Sequence, residues 1–148
     1  KAFAKAEIAA GQGLPLEGSV FISVNNRDKR SIIFIAKSLD DMGFEIFATE
    51  GTGEVLNRAG VEVRQLLKIH EGRPNVIDLI KKGKINLIIN TPWGKGPRTD
   101  GYYIRTAASF YGVPCITTIS AAQAAIQGIE AMKFEETQVK AIQDYHQQ

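Results

Sequence analysis

The sequence predicts an α/β domain, three layers deep (α/β/α), around a five-stranded parallel sheet, and three observations predict it. Short apolar segments rich in β-branched residues alternate with amphipathic segments of helical period along most of the 148 residues. That alternation implies right-handed βαβ crossovers, which put helices on both faces of one sheet. The segment 85–90, INLIIN, is apolar almost throughout, as a central parallel strand covered on both sides must be. Glycines at 43, 60, 83 and 112 fall where the helical period breaks, the place a helix stop belongs.

The elements follow in order. SVFISV, 19–24, is the first strand, bounded by Gly18 and the polar cluster Asn25-Asn26-Arg27-Asp28. From Asp28 to Met42 the apolar positions Ile32, Ile33, Ile35, Ala36 and Leu39 recur at helical spacing, with Asp28 as N-cap and Gly43 as stop. FEIFA, 44–48, is the second strand, Thr52 to Ala59 a short helix, and VEVRQL, 61–66, the third strand. A loop containing KIHEGRPN, 68–75, leads to a helix over 76–82 and then to INLIIN. Two prolines and three glycines make 91–101 a long loop. A helix over 102–111 precedes the fifth strand, VPCIT, 113–117, and Ser120 caps a last helix through Ala131. Residues 1–16 read as an Ala-rich helical end and a linker, 17–131 as the globular domain, and 132–148 as a polar tail, helical or frayed. A start on Lys1 rather than Met reads as a fragment of something longer or as a trimmed tag.

Composition narrows the function classes. Eighteen Lys and Arg against sixteen Asp and Glu leave a net charge of +2, too little for a broad field that would attract nucleic acid or an anionic membrane. An anion must therefore be caught locally. No apolar run approaches the ~20 residues that span a bilayer, and KAFAKAEIAA has no signal-peptide pattern, so the chain reads as soluble and cytoplasmic. A single cysteine, Cys115, precludes an internal disulfide, and two distant histidines, His70 and His146, cannot build a His/Cys zinc site within one chain. The expected cofactor and metal for this domain are none.

In an open parallel sheet, ligands lie beyond the carboxyl ends of the strands. The polar residues there are Ser23 to Lys29, Thr49-Glu50-Gly51-Thr52-Gly53, Lys68, Asn90-Thr91 and Thr117-Thr118. The turn TEGTG opens a helix with small residues, so backbone N–H groups and the Thr49 and Thr52 hydroxyls can converge on a phosphate or carboxylate. The dipole of one helix end supplies only about 0.3–1 kcal/mol; Lys29 and Lys68, folded to the same edge, would add charge-assisted contacts. The alternative is that Thr52 simply caps its helix while both lysines face water. Trp93, in the glycine-rich loop, can stack on a ligand, dock on a partner domain or pin the loop.

Several chemistries fail on spacing. Leu56 occupies the third-glycine position after Gly51-Thr52-Gly53, so the dinucleotide fingerprint is broken, and Gly-Lys at 83–84 and 94–95 is followed by Ile85 and Gly96, so neither is a P-loop. No Gly-x-Ser-x-Gly elbow occurs. Cys115, inside a strand, reads as a buried structural thiol, and His70, beside Glu71 and Arg73, as a loop histidine with ordinary hydrogen bonds or else a general acid.

The runs FISVNNRDKR, GFEIFATEGT, LLKIHEGRPNVIDLIKKGKINLIINTPWG and DGYYIRTAASFYGVPCITTISAA resemble the methylglyoxal-synthase-like domain that closes the large chain of carbamoyl-phosphate synthase. The specific parts are KIHEGRPN, INTPWGK and ATEGT taken together, and the likeness covers roughly residues 2 to 131. FAKAEIAAG resembles the end of the preceding synthetase region, and 132–148 resembles only the variable tail. The resemblance implies strand order 3-2-1-4-5. It also implies an allosteric regulatory domain that binds effectors such as UMP, IMP, ornithine or an acetylated glutamate. The ATP- and Mg-dependent ligase chemistry of pyrimidine and arginine biosynthesis would lie in the preceding synthetase domains, and glutamine hydrolysis in a separate amidotransferase subunit. Carried over by position, Ser23, Lys29, Thr49, Thr52, Lys68 and Asn90 match the residues lining the nucleotide site.

Departures from that pattern matter. Pro92 stands where some nucleotide-regulated members carry a second Thr, and it cannot donate a hydrogen bond; Trp93 follows and offers stacking instead. Cys115 and Ile116 replace the aromatic and acidic residues of ornithine-responsive members, removing the counter-charge for an ammonium-bearing effector. The rival is a true methylglyoxal synthase, a lyase acting on dihydroxyacetone phosphate, which needs a carboxylate base. Asn26 and Arg73 stand where its two acids would fall, and neither side chain can serve as that base. The expectation is therefore a regulatory effector-binding domain that is not itself a catalyst. Lys29 and Lys68 would hold phosphate, Ser23 and Asn90 would meet ribose or base, and the 91–101 loop would transmit the signal.

Overall fold

The computed structural model describes residues 13–92 and 99–147. Most of the expected linker, and Trp93 with the following glycine-rich residues, lie outside them. Strands β1 (Ser19–Ser23), β2 (Glu45–Ala48), β3 (Arg64–Gln65), β4 (Leu87–Asn90) and β5 (Cys115–Ile116) pair in parallel in the order 3-2-1-4-5. Helices α1 (Ile32–Asp41), α2 (Glu50–Arg58), α3 (Val76–Lys81), α4 (Asp100–Tyr111) and α5 (Ile119–Gln147) surround the sheet, with single 3-10 turns at Asn26–Asp28 and Ile69–Glu71.

Period-two alternation divides the sheet between two cores. Val20, Ile22, Leu87, Ile89 and Ile116 join Ile35 and Leu39 of α1, Leu56 of α2 and Ile126 and Ile129 of α5. Phe21, Phe47 and Ile88 point to the other face, against Val76 and Ile80 of α3 and Ile104 and Ala108 of α4. Register follows: Val20 lies beside Ile46 and Leu87, and Phe21 beside Phe47 and Ile88. The third layer is thus α3 and α4, opposite α1, α2 and α5.

Four of the five expected strands begin too early. Phe44, Val61, Lys84 and Val113 each follow a helix-closing glycine and donate their N–H back to Leu39, Leu56, Leu79 and Ala108 O, at 3.0, 2.9, 2.9 and 2.8 Å. These bonds finish the preceding helix, so Val61 and Val113 are lost from the expected 61–66 and 113–117, which pair only over β3 and β5. Helix starts also move. Asp28 does not cap α1; it closes a 3-10 turn capped by Asn25, whose Oδ1 accepts from Asp28 N at 3.0 Å. Helix α2 starts at Glu50 with Thr49 at the N-cap. Helix α4 starts two residues before Tyr102, because Thr99 Oγ1 accepts from Tyr102 N at 3.2 Å. Thr118, not Ser120, caps α5 through Ala121 N at 3.1 Å, and α5 continues unbroken past Ala131, so the 132–147 stretch is helical.

Gly18 is dictated by packing: at φ +116° a Cβ would fall onto Asn86 Oδ1, which accepts from Ser19 N at 2.9 Å and sets the entry to β1. Ile89 is fully buried at the centre of the first core. Ile89→Ala is expected to destabilise the domain by about 2–5 kcal/mol, read from the midpoint of urea unfolding at unchanged slope.

Candidate functional site

The carboxyl edge of the sheet is held by hydroxyl groups. Beyond Ser23 the chain leaves the sheet, and the next two backbone N–H groups need acceptors. Val24 N donates to Thr52 Oγ1 at 3.1 Å and Asn25 N to Thr91 Oγ1 at 2.9 Å. Thr91 N returns a bond to Ser23 O at 3.1 Å, and Asn25 Nδ2 donates to Pro92 O at 3.1 Å. The Ser23 and Thr49 hydroxyls share a hydrogen bond of 3.1 Å. Ends of β1, β2 and β4 and the start of α2 are thereby fixed to one another.

A cleft of about 400 Å³ opens on the α3/α4 side of this edge. Phe21, Val76, Leu67, Ile69 and Ile104 give it an apolar wall, and Ser23, Thr49, Asn90, Lys68, His70, Thr99 and Asp100 bring polar atoms to it. Ser23, Thr49 and Asn90 are buried, at 8%, 7% and 4% exposure. Thr49 makes no capping bond to α2; its hydroxyl turns to Ser23 instead. Gly101 also lines the cleft, and a Cβ there would stand 3.2 Å from Asn90 Nδ2, so a glycine lets α4 begin against the end of β4.

Two ammonium groups approach this site. Lys68 lines the cleft. Lys29 Nζ donates to Val24 O at 2.7 Å, and its Cε and Nζ lie 3.4 and 3.8 Å from where a Cβ on Gly51 would be, over the first turn of α2. Burial first, and the positive charge of Lys68 second, lower the Lys29 pKa below its ordinary 10.5. The cleft also holds a carboxylate, Asp100. Asp100 Oδ2 accepts from Ile69 N at 3.2 Å, and Oδ1 stands 3.5 Å from His70 Nδ1, tying the β3–α3 loop to the start of α4. Among the described residues no group of three His, Cys, Asp or Glu side chains could hold a metal ion, and no helix is long and apolar enough to cross a membrane.

A family model described as MGS-like domain matches residues 31–117. The chain belongs to the MGS-like domain family. This MGS-like domain is 50% identical over 148 residues to the carbamoyl phosphate synthase large chain of Archaeoglobus fulgidus, covering 99% of this chain and 14% of that protein. It is 49% identical to the "Carbamoyl phosphate synthase large chain, C-terminal section" of Methanopyrus kandleri, covering 98% of this chain and 27% of that one. The MGS-like domain therefore spans a small part of these relatives. In fold it is similar to a methylglyoxal synthase from Elizabethkingia anophelis NUHP1, with a TM-score of 0.62 at 16% identity, covering 76% of this chain and 79% of the other.

Of the residues singled out from sequence, Ser23, Thr49, Lys68 and Asn90 line the cleft, and Lys29 stands at the α2 end beside it. Thr52 is almost wholly buried, neither capping α2 nor lining the cleft, its oxygen engaged by Val24 N–H. Trp93 lies outside the described residues. Arg73 is held by Asp78 (Nε to Oδ1 at 2.8 Å) away from the cleft, and Asn26 is exposed in its 3-10 turn. Cys115 is half-buried, with burial pushing its thiol up to about 11, so the thiolate is scarce at neutral pH. Asp100 and His70 are the cleft groups that sequence reasoning did not assemble. The signal was Thr99-Asp100, a cap and an acidic first turn that begin a helix at the ligand edge. Thr52→Val in this MGS-like domain is expected to leave Val24 N–H buried and unpaired. The cost is about 1–3 kcal/mol in chemical unfolding, while Thr52→Ser retains most of the stability.

Proposed function

We propose that this MGS-like domain is the effector-binding regulatory part of a carbamoyl phosphate synthase large chain. Its cleft would take an anionic metabolite of nucleoside-monophosphate size, such as UMP or IMP. One observation carries the reading: Lys68 and the buried Ser23, Thr49 and Asn90 line one apolar-walled cleft, with the like-charged Lys29 beside it over the first turn of α2. Holding Lys29 near Lys68 is electrostatically unfavourable, and an anion between them reverses the sign. The volume of about 400 Å³ falls in the range of small-molecule pockets. Phosphate would lie over the start of α2 with Lys29 and Lys68, and Ser23 and Asn90 would meet the sugar or base.

Regulation requires that the parent's active and inactive states hold the effector unequally, a coupling of typically about 1–3 kcal/mol. Thr91 and Pro92 are bonded to Asn25, so a shift of the β1 exit beside the cleft would be passed to Thr91 and Pro92, which Trp93 follows in sequence. ATP, Mg and the glutamine amidotransferase subunit belong, on this reading, to the rest of the cytoplasmic parent.

A second reading is favoured by Asp100, a carboxylate in the same cleft: lyase elimination of phosphate from dihydroxyacetone phosphate. Asn26 and Arg73, outside the cleft, speak against it. Phosphate release by the chain that disappears in Asp100→Asn would establish the lyase; no release leaves the regulatory reading.

For the regulatory reading, a thermal-shift panel with UMP, IMP, ornithine, N-acetylglutamate and inorganic phosphate is decisive. A nucleotide at about 100 times its Kd is expected to add about 2.7 kcal/mol of stability, and Lys68→Ala to remove that shift. Absence of any shift across the panel overturns the reading. Proton linkage gives an independent check. Below its lowered pKa, Lys29 is charged in folded and unfolded chains alike, and the folded state bears the full cost of burying it; that cost disappears as pH rises through the lowered value towards 10.5. A bound anion favours the ammonium and raises the pKa again. Nucleotide binding is therefore expected to take up protons on the alkaline side, measured by calorimetry in buffers of different ionisation enthalpy.

A further inference from the structure

Helix α5 runs on after its packing ends. Ala122, Ala125, Ile126 and Ile129 enter the first core, whereas every residue from Phe134 to His146 is exposed. That projecting part is about 20 Å long, a length at which a helix alone in water is marginal. Phe134, Ala141, Ile142 and Tyr145 recur at i, i+7, i+8 and i+11 and form one stripe; Phe134, Ile142 and Tyr145 are 64%, 57% and 73% exposed. Glu135 flanks the stripe on one side and Asp144 on the other.

The root of the projecting helix is tied to the segment that enters the domain. Lys133 Nζ donates to Leu16 O at 2.9 Å, and Leu14 and Leu16 pack in the core that α5 closes. Relatives of 49–50% identity are several times longer than this match. In such a parent the polypeptide preceding residue 13 arrives at the corner from which the helix projects. We propose that the Phe134–Tyr145 stripe docks on the preceding region of its own longer chain, against an apolar surface with a basic margin that complements Glu135. This rests on the reading that the domain is one section of a carbamoyl phosphate synthase-like chain. Tethering selects that occupant over a second copy, because a surface on the same chain meets the stripe at an effective concentration set by the linkage and not by dilution.

Hydrogen exchange tests the docking in the full-length chain and in the 148-residue chain at equal concentration. Amides of 136–146 are expected to exchange at least tenfold more slowly in the full-length chain. Ile142→Asp with Tyr145→Asp, or the milder Tyr145→Ser, should restore fast exchange there while β1 and β4 stay protected. Equal exchange in the two chains overturns the proposal. So does protection in the 148-residue chain that grows with concentration, which would make a second copy the occupant. A protected tail together with a failed metabolite shift supports the docking and overturns the effector reading alone.

Discussion

Everything at the carboxyl edge depends on what happens to two backbone N–H groups where the chain leaves β1. Past Ser23 there is no neighbouring strand to receive them, and burial forbids water as the remedy. Thr52 and Thr91 supply the oxygens, one from the first turn of α2 and the other from the end of β4. Because each acceptor belongs to a different element, satisfying β1 also fixes α2 and the β4 exit in place. Among the described residues no buried side-chain polar atom lacks a partner, so this edge is rigid and polar without stored dissatisfaction.

The cleft inherits its polarity from that arrangement. Lys29 is pulled in by the carbonyl of Val24, one residue beyond the strand, and so stands over α2 despite the cost imposed by burial and by Lys68. Asp100 takes the Ile69 N–H, which holds the loop bearing Lys68 and His70 against α4. The resulting cleft brings a cationic side chain, Lys68, and an acidic one, Asp100, together with an apolar wall that includes Phe21, Val76 and Ile104.

Much of this was legible in the residues. Alternating elements gave the sheet and its two helical layers, and the glycines at 43, 60, 83 and 112 marked the helix ends. Strand starts were not legible, because Phe44, Val61 and Val113 look like strand residues while their N–H groups serve the preceding helix; apolar character reports burial, not pairing. The strand-end rule found Ser23, Thr49, Lys68 and Asn90. It could not reveal that Thr52 faces β1, since a threonine in the first turn of a helix has the same sequence signature in either orientation. Strand order came from family likeness, as periodicity carries no information about which strands are neighbours.

The separation of tasks among the threonines has an evolutionary side. Thr52 and Thr91 carry structural bonds but do not line the cleft, Ser23 and Thr49 do both, and Lys68 and Asn90 line it. Cleft-lining side chains such as Lys68 can therefore be exchanged in descent without loosening the joints that Thr52 and Thr91 make behind them. The framework can persist while its lining drifts, and the fold itself does persist at 16% identity to a methylglyoxal synthase.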